Sequence, residues 1–254
     1  MKYILSIVIS SVLTLNAAAQ IEYTGGTYTQ NFNGLQNDAI YTNYTTLPTG
    51  WQVSHGSYVW TNGTTGYSNN YGTYAFASAT SSIDKSLSLV VGSTGQAYFG
   101  AQLLNTTDHA LTSFTLSYYA EQWVIAAVTA SDQSIPFEYS IGATSLTSGT
   151  YISVASLTMH SIYDGDGNFS VLDGNSSQNR TLISFTVTGI DWEPNQDLWL
   201  RWDGVSLPFS SSHAMAVDDL SFSAVPEPRA FILTIVGLIM ASACFRVSRT
   251  RRCS

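Results

Sequence analysis

The chain has 254 residues, of which only 10% are Asp, Glu, Lys or Arg, against about 25% in an average soluble domain. Residues 20–225 hold 16 acids against three bases (Lys85, Arg180 and Arg201), whereas residues 226–254 hold Glu227 and five arginines. That acidic middle excludes a nucleic-acid-binding face, which needs clustered Lys and Arg. It also lacks sulfur ligands, because both cysteines (Cys244, Cys253) lie near the end, so neither an internal disulfide nor a thiolate zinc site can form in it.

Residues 1–19 come first. Lys2 precedes an apolar run from Tyr3 to Leu15, and Ala17-Ala18-Ala19 offers a small-x-small cleavage site. This is the pattern of a secretory signal peptide, with Gln20 as the new N-terminus. The run is shorter than the roughly 17–25 residues a membrane span needs. The expectation is export through the secretion machinery and signal peptidase.

Residues 20–225 alternate with period two. Phe114, Leu116 and Tyr118 share one face while Thr115 and Ser117 take the other; Ile183, Phe185 and Val187 repeat the pattern. So do Phe137, Tyr139 and Ile141, then Leu198, Leu200 and Trp202, then Leu220 and Phe222. Turn clusters such as Gly63-Thr64-Thr65-Gly66 and Gly165-Asp166-Gly167-Asn168 separate these runs. Short alternating runs bounded by turns predict an all-β domain, an antiparallel sandwich or jelly roll. No Pro/Gly-rich linker divides it, so 20–225 reads as one domain, with residues 20–31 either a loose entry or an edge strand.

Several acids could carry chemistry. Glycosidases need two carboxyls about 5–9.5 Å apart with pKa values shifted from one another. Glu121 beside Trp123, and Asp191 with Glu193 around Trp192, are the nearest matches, but Pro194 points to a strand end there and a solvated edge is the simpler reading. No nucleophile elbow, metal-hydrolase His spacing or phosphate loop occurs, so the expectation is a protein that is not an enzyme. Asp164, Asp166 and Asn168 space oxygens as a calcium loop opens, yet residue 175 is Asn where such a loop needs Glu. The alternative is an Asp-Gly turn. Asp218-Asp219 is the second candidate for a structural calcium. On a regular strand Asp218 shares the face of Leu220 and Phe222, with Arg201 as the basic partner nearest in sequence; a hydrogen-bonded turn is the alternative. Trp199 points away from Leu198, Leu200 and Trp202, so it is the best candidate for an exposed ring on which a sugar could stack, although core filling is the commoner role for any one of the tryptophans.

Residues 226–254 end the chain differently. Pro226-Glu227-Pro228 is followed by an apolar helix over Ala230 to Phe245 and then by Arg246, Arg249, Arg251 and Arg252. Sixteen helical residues reach about 24 Å at 1.5 Å per residue, and flanking arginines can snorkel to the interfaces. The terminal arginines set the tail in the cytoplasm and the body outside, the orientation that the signal peptide also requires.

These three parts, in this order, resemble the PEP-CTERM sorting signal of Gram-negative bacteria. The resemblance implies recognition of Pro226, Glu227 and Pro228 by an exosortase, a membrane-embedded processing enzyme, and delivery of the body to the cell surface or extracellular matrix. The body also resembles the ectodomains found ahead of such tails. The segments that carry this are Phe32-Asn33-Gly34-Leu35 with Leu47-Pro48-Thr49-Gly50-Trp51, Ala101 to Asn105, Ser117 to Trp123, Asp197 to Trp202, and Ala216 to Phe222. Those ectodomains look like lectin-type jelly rolls without an assigned activity. The expected role is therefore a structural or adhesive surface component, the alternative a module that binds exopolysaccharide, and a glycosidase ranks behind both.

Overall fold

The computed structural model describes residues 19–35, 40–41, 47–54, 58–61, 72–78, 81–90, 96–127, 132–165, 167–204 and 213–226. Residues 1–18 of the expected signal peptide, Glu227, Pro228, the expected apolar helix over 230–245, Arg246, Arg249, Arg251, Arg252 and Asp166 lie outside the described residues. Among the described residues no helix is long and apolar enough to cross a membrane.

The described chain is all β. Its first nine strands are β1 (Ile21–Tyr23), β2 (Thr27–Gln30), β3 (Ile40–Tyr41), β4 (Trp51–Val53), β5 (Tyr58–Thr61), β6 (Gly72–Ser78), β7 (Ser81–Val90), β8 (Ala97–Asn105) and β9 (Leu111–Ile125). Then come β10 (Ser134–Ile135), β11 (Phe137–Ile141), β12 (Ile152–Ser153), β13 (Met159–His160), β14 (Ser170–Val171), β15 (Arg180–Trp192), β16 (Asp197–Gly204) and β17 (Ala214–Val225). A six-stranded sheet runs β1-β8-β16-β11-β12, with β4 also on β8; a nine-stranded sheet runs β14-β9-β17-β7-β6-β5-β3, with β15 on β9 and β2 on β17. Residues 20–31 thus resolve into two strands, β1 parallel to β8 and β2 antiparallel to β17.

Period-two patterning builds the interior. On β9, Phe114, Leu116, Tyr118 and Ala120 face the other sheet and belong to one core with Phe99, Phe137, Leu200 and Trp202. Phe114 meets Tyr139 of β11 at 5.4 Å and Tyr118 meets Trp202 of β16 at 5.3 Å, so the two sheets stack face to face. Trp202 also stacks on Phe99 at 5.0 Å and takes the edge of Phe137 at 5.2 Å. Burying one large aromatic is worth about 1.5–3 kcal/mol, and each ring pair adds about 0.5–1.5 kcal/mol. A cluster of this kind supplies the burial that domains too small for a large core replace with disulfides.

The outer face of β9 departs from the pattern. Thr115 and Ser117 are only partly covered, as alternation requires, but Glu121 and Trp123 are buried. The turn over residues 172–179 folds back on them: the Leu172 amide donates to the Trp123 carbonyl at 2.9 Å, and Gly174 lies flat on the indole. A Cβ at Gly174 would stand 2.3 Å from that ring, so only glycine lets the turn close.

β17 carries a bulge between Asp218 and Ser221, with Asp219 at φ 47°. Before it, Met215 and Val217 face the sandwich core, while Ala214 and Ala216 pack on the outside with Trp123 and Val124. After it, Leu220, Phe222 and Ala224 face the core. The extra residue reverses the phase of the strand. Asp218 therefore does not share the face of Leu220 and Phe222, as regular alternation predicts; it lies on the outer side with Ala216 and Glu121.

Candidate functional site

The outer face of the six-stranded sheet gathers planar and charged groups. β11 and β16 set Glu138 opposite Arg201. The guanidinium donates to Glu138 Oε2 from Nε at 2.8 Å and lies 2.6 Å from it at Nη2, while Nη1 donates to the Leu146 carbonyl at 2.6 Å. Ser153 Oγ donates to the other carboxylate oxygen at 2.8 Å. The guanidinium plane lies 3.5 Å from the Tyr151 ring centre and 4.5 Å from that of Tyr98. The two charged side chains keep only 12% and 14% of their surface in solvent, so loss of either would leave the other charge poorly solvated and unpaired.

Around this core the face is polar. Gln96 Nε2 donates to both oxygens of Asp203 at 2.9 and 3.0 Å; burial raises the pKa of that carboxyl. Gln102 Nε2 donates to Gln20 Oε1 at 3.2 Å. Beyond Gln20 a groove of about 560 Å³ opens between the sheet edges, lined by Glu22, Tyr28, Gln30 and Thr49.

Trp199 lies on this same face, as its place in the alternation predicts, but it is not an exposed ring. It keeps 2% of its surface, because the loop after β11 brings Ala143 and Leu146 down on it. Leu146 reaches the sheet where Gly100 leaves space: a Cβ there would stand 2.0 Å from the Leu200 carbonyl oxygen and 2.8 Å from Leu146. The tyrosines beside it, Tyr98 and Tyr151, remain partly open. Arg201 is not the partner of Asp218 either; it belongs to Glu138.

A second cluster lies on the outer face of the nine-stranded sheet. β17 sets Ala216 opposite Glu121, and Asp218 opposite Tyr119 of β9. On its other side Val217 pairs with Leu87 of β7, which places Ser86 beside Asp218. Trp123 Nε1 donates to Glu121 Oε2 at 2.9 Å. Burial pushes Asp218 up to about 9, the Glu121 charge adding to it and the Asp219 amide offsetting part. Burial likewise pushes Glu121 up to about 7, against the pull of Trp123, Ser86 and Arg180. Raised carboxyl pairs are what glycosidases use, but here Glu121 keeps 1% of its surface in solvent and Asp218 none.

The remaining sequence candidates stay apart. Asp191 and Glu193 are exposed on either side of the buried Trp192. Asp164, Asn168 and Asp219 are exposed as well, Asp219 lining a cavity of about 360 Å³ with Thr29, Asn31 and Ser221. Among the described residues no three His, Cys, Asp or Glu side chains gather as metal ligands. Sequence reasoning missed Glu138 and Tyr98, which strand pairing brings to Arg201, and Tyr151, which the loop before β12 brings there. It named Glu121 and Asp218 without joining them.

No family model matches the chain, and no curated protein matches it. Among solved structures it is similar to the CBM22-1 xylan-binding domain of Paenibacillus barcinonensis Xyn10C, at 12% identity over 83% of this chain and 100% of that one, with a TM-score of 0.35. A CBM4 structure gives 14% identity over 76% and 97% of the two chains, with a TM-score of 0.38. The enzymatically active domain of bacteriophage CBA120 tailspike protein 4 gives 10% identity and a TM-score of 0.35; 69% of this chain matches 19% of that one. At these scores the likenesses lend no weight to any function.

Proposed function

We propose that this chain is an exported, non-catalytic module that holds polysaccharide at the cell surface or in the extracellular matrix. The observation that carries the reading is the Tyr98–Arg201–Tyr151 stack fixed by Glu138 on an outer sheet face. Sugar rings present C–H faces that pack on aromatic planes, and hydroxyls that pair with fixed charged groups. Residues 1–19 and 226–254 support the location: a signal peptide starts export, and the Pro226-Glu227-Pro228 motif, apolar helix and arginines hold the precursor for an exosortase-type enzyme. The test is a glycan array probed with the full chain in detergent. Binding that Tyr98→Ala and Tyr151→Ala both weaken at least tenfold is expected; a silent array, or binding indifferent to both changes, overturns the reading.

One observation favours the structural reading instead. Among the described residues β15 pairs only with β9, and residues 181–190 of that strand carry no charge. Arg180 and Asp191 bracket the stretch, so an antiparallel second copy would bring the basic end of one strand toward the acidic end of the other. Such an edge invites strand addition. Self-association lost in Phe185→Lys would support assembly through this edge; a chain that is monomeric at all concentrations would exclude it.

A further inference from the structure

Five buried side-chain oxygens of the second cluster have no partner in full hydrogen-bond geometry, although Ser86 lies near enough to Glu121, and the Asp219 amide near enough to Asp218, to pull those carboxyls down. They are Ser86 Oγ, Glu121 Oε1, Asn175 Oδ1 and both oxygens of Asp218. Asp218 and Ser86 have no exposed surface at all, and Glu121 has 1%. Leaving one buried polar group unsatisfied costs about 1–3 kcal/mol, and more when it is charged. Ser86, Glu121 and Asp218 share one sheet face, so their oxygens form a buried polar cluster short of donors.

The strands and one turn bring them together. Ser86, Glu121 and Asp218 come from adjacent strands β7, β9 and β17 on one sheet face. Asn175 sits in the turn that Gly174 closes on Trp123, and its Nδ2 donates to the Asp84 carbonyl next to Ser86 at 3.4 Å. That leaves its Oδ1 without a partner.

Neither neighbouring base fills the cluster. Arg180 stands 4.0 Å from Glu121 Oε1, the outer limit of an ion pair, and its guanidinium stacks on Tyr119 at 4.3 Å. The buried Lys85 ammonium is spent on the carbonyls of Leu35 and Asn33.

We infer that Ser86, Glu121, Asn175 and Asp218 form a binding site for a hard divalent cation of the calcium class. All the donors are oxygens, the set calcium takes, with neither imidazole nor thiolate to favour a softer metal. Two ionised carboxylates balance its charge, and the hydroxyl and amide oxygens complete part of its shell. Asp219, the neighbour that looks equivalent in sequence, takes no part, because the bulge turns it to solvent. Binding displaces the protons that the two carboxyls otherwise keep, and it ties β7, β9, β17 and the 172–179 turn into one unit. The site is independent of the polysaccharide-binding face and is tested without glycan.

The experiment uses the full chain in detergent, stripped with chelator. Calcium titrated calorimetrically should bind one to one, and millimolar calcium should raise Tm where sodium chloride of matched ionic strength does not. A binding ligand stabilises by RT ln(1 + [L]/Kd), so the rise should grow with the logarithm of calcium concentration. Asp218→Asn and Glu121→Gln, which keep the shape, should abolish the calcium-specific rise; Asp219→Asn should leave it intact. Absence of calcium binding to the folded wild type, or a rise that survives Asp218→Asn, overturns the inference. If a variant does not fold, elemental analysis of the wild type after calcium loading and desalting decides: about one calcium per chain supports the site, and none overturns it.

Discussion

Glu138 and Arg201 lie 63 residues apart in sequence, yet the β11–β16 register sets them opposite and holds their charged atoms 2.6 Å apart. The pair is planar, mostly desolvated and flanked by two rings. Removing one partner strands the other in a poorly solvated place. Glu138→Ala should therefore destabilise the chain by about 3 kcal/mol, the scale for breaking a buried pair. Arg201→Lys keeps the charge but loses the stacking plane, so it should cost less stability and still weaken glycan binding. Thermal melts and array intensities of the two variants separate the effects.

Asp218 makes stability depend on pH. Its pKa is raised, so the folded chain holds this proton more tightly than the unfolded chain does. The resulting stability is fully present below the ordinary carboxyl range and is lost as pH rises through about 9. Glu121 adds the same sign up to about 7, while His213, whose pKa burial lowers, acts oppositely in more acid solution. Between pH 7 and 9 in chelator, Tm should fall, with a slope of at most about 1.4 kcal/mol per pH unit for the single group. Asp218→Asn should flatten that slope. A wild-type Tm that does not change across this window would mean that Asp218 is already ionised.

Gly174→Ala tests the cover over Trp123. The added methyl meets the indole at 2.3 Å, and overpacking of this kind costs about 1–3 kcal/mol. The turn must lift, admitting water to Trp123 and Glu121. A red shift of tryptophan emission with a lower Tm is expected; an unchanged spectrum and Tm would show that the turn closes without needing glycine.

Glu227→Ala tests the sorting motif. The expected outcome is a full-length precursor accumulating in the inner membrane. Wild-type protein recovered outside should lack everything beyond the Pro-Glu-Pro region by mass spectrometry. Secreted wild type that still ends at Ser254 would leave residues 226–254 as a plain anchor.

Alternation made β9 and β16 readable in the sequence, because Phe114, Leu116, Tyr118, Leu198, Leu200 and Trp202 occur with the period of a pleated strand. It failed where a distant segment changed the environment without changing the strand. Trp199 points outward as its parity requires, and the 143–151 loop buries it. Asp218 was misplaced for another reason: one bulge residue at Asp219 reverses all later parity, and Asp-Asp on a strand carries no local sign of a bulge. Partners such as Glu138 with Arg201, or Glu121 with Asp218, depend on register between strands far apart in the chain. Period alone does not carry that information.

The last strand before Pro226 is also the best connected. β17 pairs with β9 along one edge and with β7 and then β2 along the other. Any pull on the chain beyond Val225 runs along the axis of an interior strand, with hydrogen bonds lying across the direction of force on both sides. Those bonds are loaded together and must shear as a group, whereas an edge strand could be unzipped one bond at a time. Under the proposed tail attachment, the point of pull and a strand paired along both edges are thus consecutive in the chain.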